Sequence, residues 1–597
     1  MLVGRSHFLD ESIGPLRSRR GCTTCKARRV KCGQEKPACV RCSRTGRRCE
    51  YSRPTASFAS APATRTVLDH PLSSSPSTVW RERRAFAYYF HEAAVSVGGA
   101  LDVDFWRTII PQVCRNEPAV WDAMIALSAL LESPDLSPDV IAFRRHHGLG
   151  LNENQRDALG WYSRSVAAVR RHIERGGVDL FVGLVTCVLF ICIEALMGGM
   201  REAVQLYDQG VQLILTLRGQ IAGGVVTGTQ ASLLEDTIVP IFVRLGMLST
   251  HIIALPVNAL LAATEHPTVT RFPSLKAARE AIVLLAAEVQ LFEQTCNDYL
   301  LMSQASRVTD ELMQQQQSLF TRLQGWYSAF IALTEHPSNP DPSSRPLMST
   351  RALLLTYYDM SFVIVAVCVM QSRLGHDACL QNFRNIVEQS RIVLQELSPG
   401  DGTPPLFTCE ISVGFPLWFT CLRCSDPITR RAALSLLRRA HQVQGFSNRD
   451  HGARVGEWVI MLEETYGMAL SAAQTTHQTR TLEAHTAVVG HSSHTRDMDD
   501  LSHLLSTLDL QLATSPSPPF SEIEPIAPSA ELVPEEARIR PHGVFRPRDG
   551  FPLGTTEADL TKWSRSSDQT FLQFSRTERD RSKDTWRVIY SYIPVDF

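Results

Sequence analysis

A mostly helical protein with a small metal-held module near one end is what this 597-residue sequence predicts. Three observations carry that expectation. Six of the fifteen cysteines fall between Cys22 and Cys49. From about residue 80 to 470, apolar residues recur at steps of three and four, the period of an amphipathic helix. After residue 470 Ser, Thr, His and Pro accumulate and the period fades. The expected organisation is a disordered N-terminus at 1–16, a basic cysteine module at 17–53, a Ser/Pro/Ala-rich linker at 54–79, an all-helical domain at 80–470 and a largely disordered, low-complexity tail at 471–597.

The cysteine intervals read C-x2-C-x6-C-x6-C-x2-C-x6-C, so the second half repeats the first. Zinc takes tetrahedral thiolate sites, and a two-residue gap lets both sulfurs of a pair hold one ion. Two such ions need eight sulfur contacts, and Cys22, Cys25, Cys32, Cys39, Cys42 and Cys49 supply them when two sulfurs bridge. The expected cofactor is therefore two Zn2+ per chain. A secreted disulfide framework is disfavoured, because Met1 to His7 lacks the apolar core of a secretory leader. Lys26 to Lys31 suits one or two turns of helix, with Gly33 placed to end it. Residues 17–53 carry thirteen Lys+Arg against two acids, Glu35 and Glu50. A compact module with that charge has the electrostatic footprint of a nucleic-acid binder, whereas a purely structural zinc knuckle leaves the basic run unexplained. Arg17, Arg19, Arg20, Arg47, Arg48 and Arg53 fit phosphate contact, and the Arg17–Arg20 cluster also fits nuclear import.

From Gly21 through Cys32, and on through Pro37-Ala38-Cys39-Val40-Arg41-Cys42 to Gly46 and Cys49, the chain resembles the fungal Zn2Cys6 binuclear-cluster transcription factors. The resemblance implies that Cys22 and Cys39 bridge both ions, that Cys25 and Cys32 complete one, and that Cys42 and Cys49 complete the other. It implies base-reading side chains at Arg28, Arg29 and Lys31, with Lys26, Arg20, Arg47 and Arg48 as further DNA contacts, and a GC-rich, CGG-type target. Arg is well shaped for bidentate contact with guanine O6 and N7. Gly33 stands where the family usually has an acid. The activity implied is zinc-dependent, sequence-specific regulation of RNA polymerase II genes in the nucleus, with double-stranded DNA as partner. Many relatives govern metabolic or secondary-metabolite genes. The alternative is an adaptor or co-regulator that acts through protein contacts of the helical domain.

Beyond the module the charge reverses: residues 1–53 hold fourteen bases and four acids, and the remaining 544 hold 46 bases and 57 acids. Nucleic-acid binding is thus expected only at the basic end. Ser52 to Val79 shows no heptad run, so a coiled-coil dimer is not expected there, while a homodimer formed elsewhere, a coactivator or corepressor, and a small-molecule effector stay open as partners. Phe86, Tyr89 and Phe90 predict one face of a first helix. Ala119 to Leu131, entered through Glu117-Pro118, predicts a compact apolar helix. Leu159, Tyr162, Val166, Val169 and Ile173 predict an amphipathic helix, as do Val204, Tyr207, Val211, Ile214 and Leu215. Leu180–Ile193 and Met360–Met370 fall short of the roughly 20 residues that span a bilayer, so buried core helices and no membrane partner are expected.

No strand–helix alternation with a phosphate loop is present, which disfavours a nucleotide-binding enzyme. Phe105-Trp106, Glu117 to Leu127, Tyr207 to Leu215, Pro416 to Phe419, Ser425-Asp426-Pro427 and Arg430-Arg431-Ala432 resemble, in that order, the second type of fungal-specific transcription factor domain. This implies an all-helical regulatory domain without catalysis, so no enzyme is expected. Smaller features read as bland: Cys421 and Cys424 as packing, His485, His491 and His494 as solvated, Asp450-His451 as half of a dyad without a nucleophile, and Trp326, Tyr327 and Phe330 as core. Residues 497–512 mix acids with leucines and fit either an activation segment or a last docked helix, since Leu501, Leu504, Leu505, Leu508 and Leu512 share a face. Trp586 to Tyr590 has local β character.

Overall fold

The computed structural model describes residues 22–28, 30–49, 79–99, 101–132, 141, 150–176, 179–224, 227–247, 257–261, 271–302, 309–335, 345–370, 373–397, 405–485, 532–547, 550–551, 569–580 and 585–595. Two compact units emerge, Met1–Pro71 and Leu72–Phe597. The first holds two short helices, α1 (Thr23–Ala27) and α2 (Val40–Arg44), wrapped around the six clustered cysteines. Most of the linker and residues 497–512 lie outside the described residues, as do Arg20, Arg29, His491 and His494.

The second unit is built from long helices whose ends carry their own stop and start chemistry. Helix α3 (Val79–Tyr88) runs through a π turn, Tyr89–Ala93, into Ala94–Gly98. That wider turn rotates the register, so Tyr89 is enclosed while Phe90 is 39% exposed, and the single face expected of Phe86, Tyr89 and Phe90 is split. Helix α4 (Pro118–Leu131) starts at its proline as expected and is buried on nearly every side. Helix α5 (Glu153–Glu174) opens on a reciprocal cap: Gln155 N–H donates to Asn152 Oδ1 at 2.8 Å, and Asn152 N–H to Gln155 Oε1 at 3.1 Å. Helix α6 (Leu180–Leu196) begins where Asp179 accepts the Phe181 N–H.

Helix α4 packs against both α5 and α6. The expected α5 stripe is only half-buried and Ile173 is exposed; the enclosed positions are Gln155, Ala158, Trp161 and Ser165. Ala158 and Ser165 sit on that face beside Gln155 and Trp161, where α5 approaches α4 closely enough for Ser165 Oγ to donate to the Ala119 carbonyl at 2.6 Å. Helix α7 (Met200–Ala222) buries Tyr207, Val211 and Ile214 as its pattern predicts. Helices α8 (Val239–Met247), α9 (Leu275–Met302), α10 (Asp310–Thr334), α11 (Arg345–Val367) and α12 (Leu380–Leu397) extend the same core. Trp326 and Phe330 of α10 are buried in it, whereas Tyr327 stacks on Tyr358 and stays 39% exposed.

Helix α11 is longer than its apolar run: among the described residues, Met348–Val367 is the one stretch long and apolar enough to cross a membrane by length and composition. Its Leu354, Tyr357, Met360 and Val363 are fully enclosed against α9, α10 and α12, and it carries Asp359, which accepts from Asn382 Nδ2 at 2.7 Å. These contacts give the helix the core role expected of Met360–Met370, though the argument from length does not hold. Cys421 and Cys424, in and just after α13 (Gly414–Arg423), are also buried packing residues, each thiol pushed up to about 12 by burial.

A three-stranded sheet, β1 (Phe407–Thr408), β2 (Val443–Gln444) and β3 (Ser447–Asn448), brackets α14 (Pro427–Leu437). The long α15 (Arg449–His485) follows. The structure then adds an antiparallel sheet, β4 (Ile539–Phe545), β5 (Thr570–Asp580) and β6 (Thr585–Val595), to what the sequence offers only as local β character. Ile539, Leu572, Phe574, Ile593 and Val595 pack on Val459, Leu462, Tyr466 and Leu470 of α15. Ile539 N–H donates to Glu463, and Arg538 pairs with Asp377, both at 2.8 Å.

The core also holds a charge cluster that no sequence pattern announces. Arg244 of α8 and Arg279 of α9 are buried together with Asp102 and Glu410, and the half-buried Glu280 flanks them. Arg279 reaches Asp102 at 2.8 Å and also contacts Glu410, while Arg244 contacts Asp102 and lies 3.3 Å from Glu280. Charges out of water need such partners, because an unpaired one is strongly destabilising.

Candidate metal centre and nucleic-acid interface

Each half of the N-terminal module starts its helix on a cysteine. Cys22 is the N-cap of α1 and its sulfur accepts the Cys25 N–H at 3.4 Å; Cys39 takes the same place before α2. One turn on, Cys25 and Cys42 point inward from the two helices and are buried. The third cysteine of each half returns to the first: Cys22 N–H donates to Cys32 Sγ at 3.4 Å, and Cys39 N–H to Cys49 Sγ at 3.2 Å. The sequence repeat is therefore a structural repeat.

The six sulfurs form two overlapping sets, Cys22/Cys25/Cys32/Cys39 and Cys22/Cys39/Cys42/Cys49, each with its ligand atoms within 4.8 Å of one another. Cys22 and Cys39 belong to both. The Cys22–Cys39 separation is 3.8 Å and the Cys25–Cys39 separation 3.6 Å, close to the about 3.8 Å edge of a tetrahedron with zinc–sulfur bonds of about 2.3 Å. An all-sulfur donor set in two four-membered groups fits two Zn2+ and the cofactor expectation. As thiols the six are unequal. The backbone N–H of Cys42 draws Cys39 down to about 6 against burial, while burial pushes Cys25 up to about 12. Zinc overrides both, since a coordinated thiol is deprotonated outright.

Around this core the basic side chains face outward. Lys26, Arg28, Lys31, Arg47 and Arg48 are all exposed. The helix expected over Lys26–Lys31 lies earlier: α1 ends at Ala27 with Arg28 as its C-cap, and Lys31 follows it in non-helical chain. The sulfurs impose that shift, since the turn between Cys22 and Cys25 must be helical and the chain must then leave the helix to bring Cys32 back. Gly33 does not end the helix; the left-handed residue is Gln34, at φ 68°. The atoms nearest a Cβ on Gly33 would be those of the Glu35 carboxyl, and that carboxylate accepts the Val40 N–H at the start of α2. Thr24 Oγ1 donates to the Arg48 carbonyl at 2.7 Å and fixes the returning chain to α1.

Three exposed bases escape the sequence reading, Lys36 before α2 and Arg41 and Arg44 on it. The repeat gives no signal for Arg41 and Arg44, whose counterparts in the first half are Thr24 and Ala27. Four and six residues after Cys22 stand Lys26 and Arg28; four and six after Cys39 stand Ser43 and Thr45.

Comparison with known proteins agrees with this geometry. Residues 20–57 match the family model described as the fungal Zn(2)-Cys(6) binuclear cluster domain. The aspercryptin biosynthesis cluster-specific transcription regulator atnN of Emericella nidulans is 26% identical over 401 residues, covering 58% of this chain and 60% of that protein. The Zn(2)-C6 fungal-type transcription factor afumD of Aspergillus fumigatus is 32% identical over 121 residues, 19% of this chain and 32% of its own length. An uncharacterized transcriptional regulatory protein of Schizosaccharomyces pombe is 24% identical over 189 residues, 28% of this chain and 33% of its own. The chain thus spans between a third and three fifths of these relatives. No solved structure matches.

Proposed function

This chain being a fungal Zn2Cys6 binuclear-cluster transcription factor with two Zn2+ rather than an enzyme, we propose that it reads GC-rich, CGG-type DNA sites in the nucleus and regulates RNA polymerase II genes from them. The observation that carries the reading is the pair of sulfur sets sharing Cys22 and Cys39, which hold an exposed basic surface on a small rigid scaffold. Bound zinc supplies fixed tetrahedral cross-links, and with them much of the folding free energy of a module this small. Cys22 and Cys39 bridge; Cys25 and Cys32 complete one site, Cys42 and Cys49 the other.

Arg28, Arg29 and Lys31 are assigned to base edges. For Arg28 and Arg29 the inequality of the two halves supports that choice, because the second half carries Thr45 and Gly46 in their places, whereas Lys31 matches Arg48 and rests on the family resemblance alone. Lys26, Arg20, Arg47 and Arg48 then neutralise phosphates and set register. The large helical unit is the regulatory domain. A secondary-metabolite gene cluster is the favoured target set, because the Emericella nidulans relative is the regulator of the aspercryptin biosynthesis cluster. A homodimer contact or a coactivator or corepressor, and a small-molecule effector if one binds, would engage that unit.

Three measurements test this. Selection of random duplex DNA with the zinc-loaded full chain should enrich a GC-rich motif; no enrichment would leave the adaptor reading in its place. Cys39→Ala should lose both ions by elemental analysis and all site-specific DNA retention, and a variant that still held two zincs would overturn the bridge assignment. Arg28→Ala should cost about 1–3 kcal/mol of binding and relax sequence preference, whereas Arg47→Ala should weaken all sequences alike and reduce the salt dependence.

A further inference from the structure

Nine cysteines lie outside the zinc module, and two pairs of them meet in the helical unit, Cys296 with Cys368 and, deepest in the core, Cys192 with Cys409. Cys192 is on α6, the central apolar helix, and Cys409 follows β1, 217 residues later. Their sulfurs are 3.2 Å apart, closer than two unbonded sulfurs sit in ordinary packing, and neither side chain is more than 2% exposed. The segment bearing Cys409 is a junction. Cys409 N–H donates to the Val97 carbonyl at 2.9 Å, Thr408 Oγ1 to the same carbonyl at 3.2 Å, and Glu410 enters the buried cluster with Arg244 and Arg279. A link at this point would tie the central helix to a strand that holds the N-terminal helices and the charge cluster together.

We propose that Cys192 and Cys409 are a redox-reversible pair that forms a disulfide on exposure to a hydroperoxide and staples α6 to the β1 segment. The balance is two thiols plus one ROOH giving one disulfide, ROH and water. One thiolate attacks the peroxide and becomes a sulfenic acid as ROH leaves; the second sulfur displaces water from it. Reduction by a dithiol restores both thiols. Burial raises the Cys192 thiol above its ordinary range, so the first step waits on local opening and speeds up as pH rises. Once one sulfur is oxidised, its partner is already in place.

The test uses the zinc-loaded full chain and hydrogen peroxide as probe, followed by alkylation under denaturing conditions and peptide mass spectrometry without reduction. The expected result is a linked peptide pair containing Cys192 and Cys409, lost on treatment with dithiothreitol. Loss of these two alkylatable thiols should occur while the helical signal at 222 nm is unchanged. The thermal midpoint of the oxidised chain should rise above that of the reduced chain, and Cys409→Ala should abolish both the link and the rise. The proposal is overturned if Cys192 and Cys409 remain alkylatable in oxidised chains, acquire separate oxygen adducts, or pair with other cysteines. The wild-type peptide readout decides the matter even where Cys409→Ala fails to fold.

Discussion

Asp359 is a carboxylate enclosed on α11, the one helix among the described residues long and apolar enough to cross a membrane, and burial pushes it up to about 6 against the amides of Asn382 and Asn385. The unfolded chain returns it to about 4. Its folded-state pKa is raised, so the folded form binds the proton more tightly. The penalty is absent below about pH 4, grows between about pH 4 and 6, and is constant above. Asp359→Asn should therefore stabilise the chain by about 2 kcal/mol at pH 7.5 and by nothing near pH 4, read as the shift in urea midpoint at the two pH values. Arg279 poses the opposite case. Arg279→Met leaves Glu410 and Asp102 short of a buried partner and should cost about 3–5 kcal/mol, part of it recovered by adding Glu410→Gln. Equal stabilities of Arg279→Met and wild type in denaturant titrations would remove the cluster from the account of the core. Neither site is legible in the sequence, because a lone Asp or Arg inside an apolar helix names no partner. The six cysteines are legible because each metal site gathers its ligands from neighbouring sequence.

At the level of elements, helix periodicity recovers which helices exist better than which residues they bury. The stripe expected on α5 is displaced toward Ala158 and Ser165, and the α1 helix is moved by its sulfurs to Thr23–Ala27. In both, the distance to a neighbour outranks the apolar count. The same logic governs α7. A Cβ on Gly210 would lie 2.3 Å from the Phe242 ring and 3.1 Å from Cys187 Sγ, whereas one on Gly219 of the same helix meets nothing within 4 Å. Gly210→Ala should cost about 1–3 kcal/mol through overpacking. Gly219→Ala should stabilise by about 0.5–1 kcal/mol, since the helix loses a flexible residue without a clash. Thermal unfolding of the two single variants separates packing from propensity; destabilisation by both would mean that propensity and space do not describe this helix.

For the molecule as a whole, the two units answer to different forces. The N-terminal module has too little apolar surface to fold unaided, and among its described residues the only buried side chains are cysteines. Residues 72–597 carry an extensive apolar core of their own. Chelation of zinc should accordingly abolish site-specific DNA retention while leaving the helical signal at 222 nm and the main unfolding transition in place. A collapse of that transition on chelation would refute the separation.

The sequence by itself determined the metal chemistry, the basic face around it and the helical character of the bulk, because each is written in spacings shorter than about ten residues. Tertiary structure alone decided which helix faces are enclosed, that Asp102, Arg244, Arg279 and Glu410 share one buried cluster, that Cys192 meets Cys409, and that a C-terminal sheet closes over α15. Those outcomes join residues dozens to hundreds of positions apart. What selects them is volume, charge and hydrogen-bond satisfaction in three dimensions, and no local pattern carries that information.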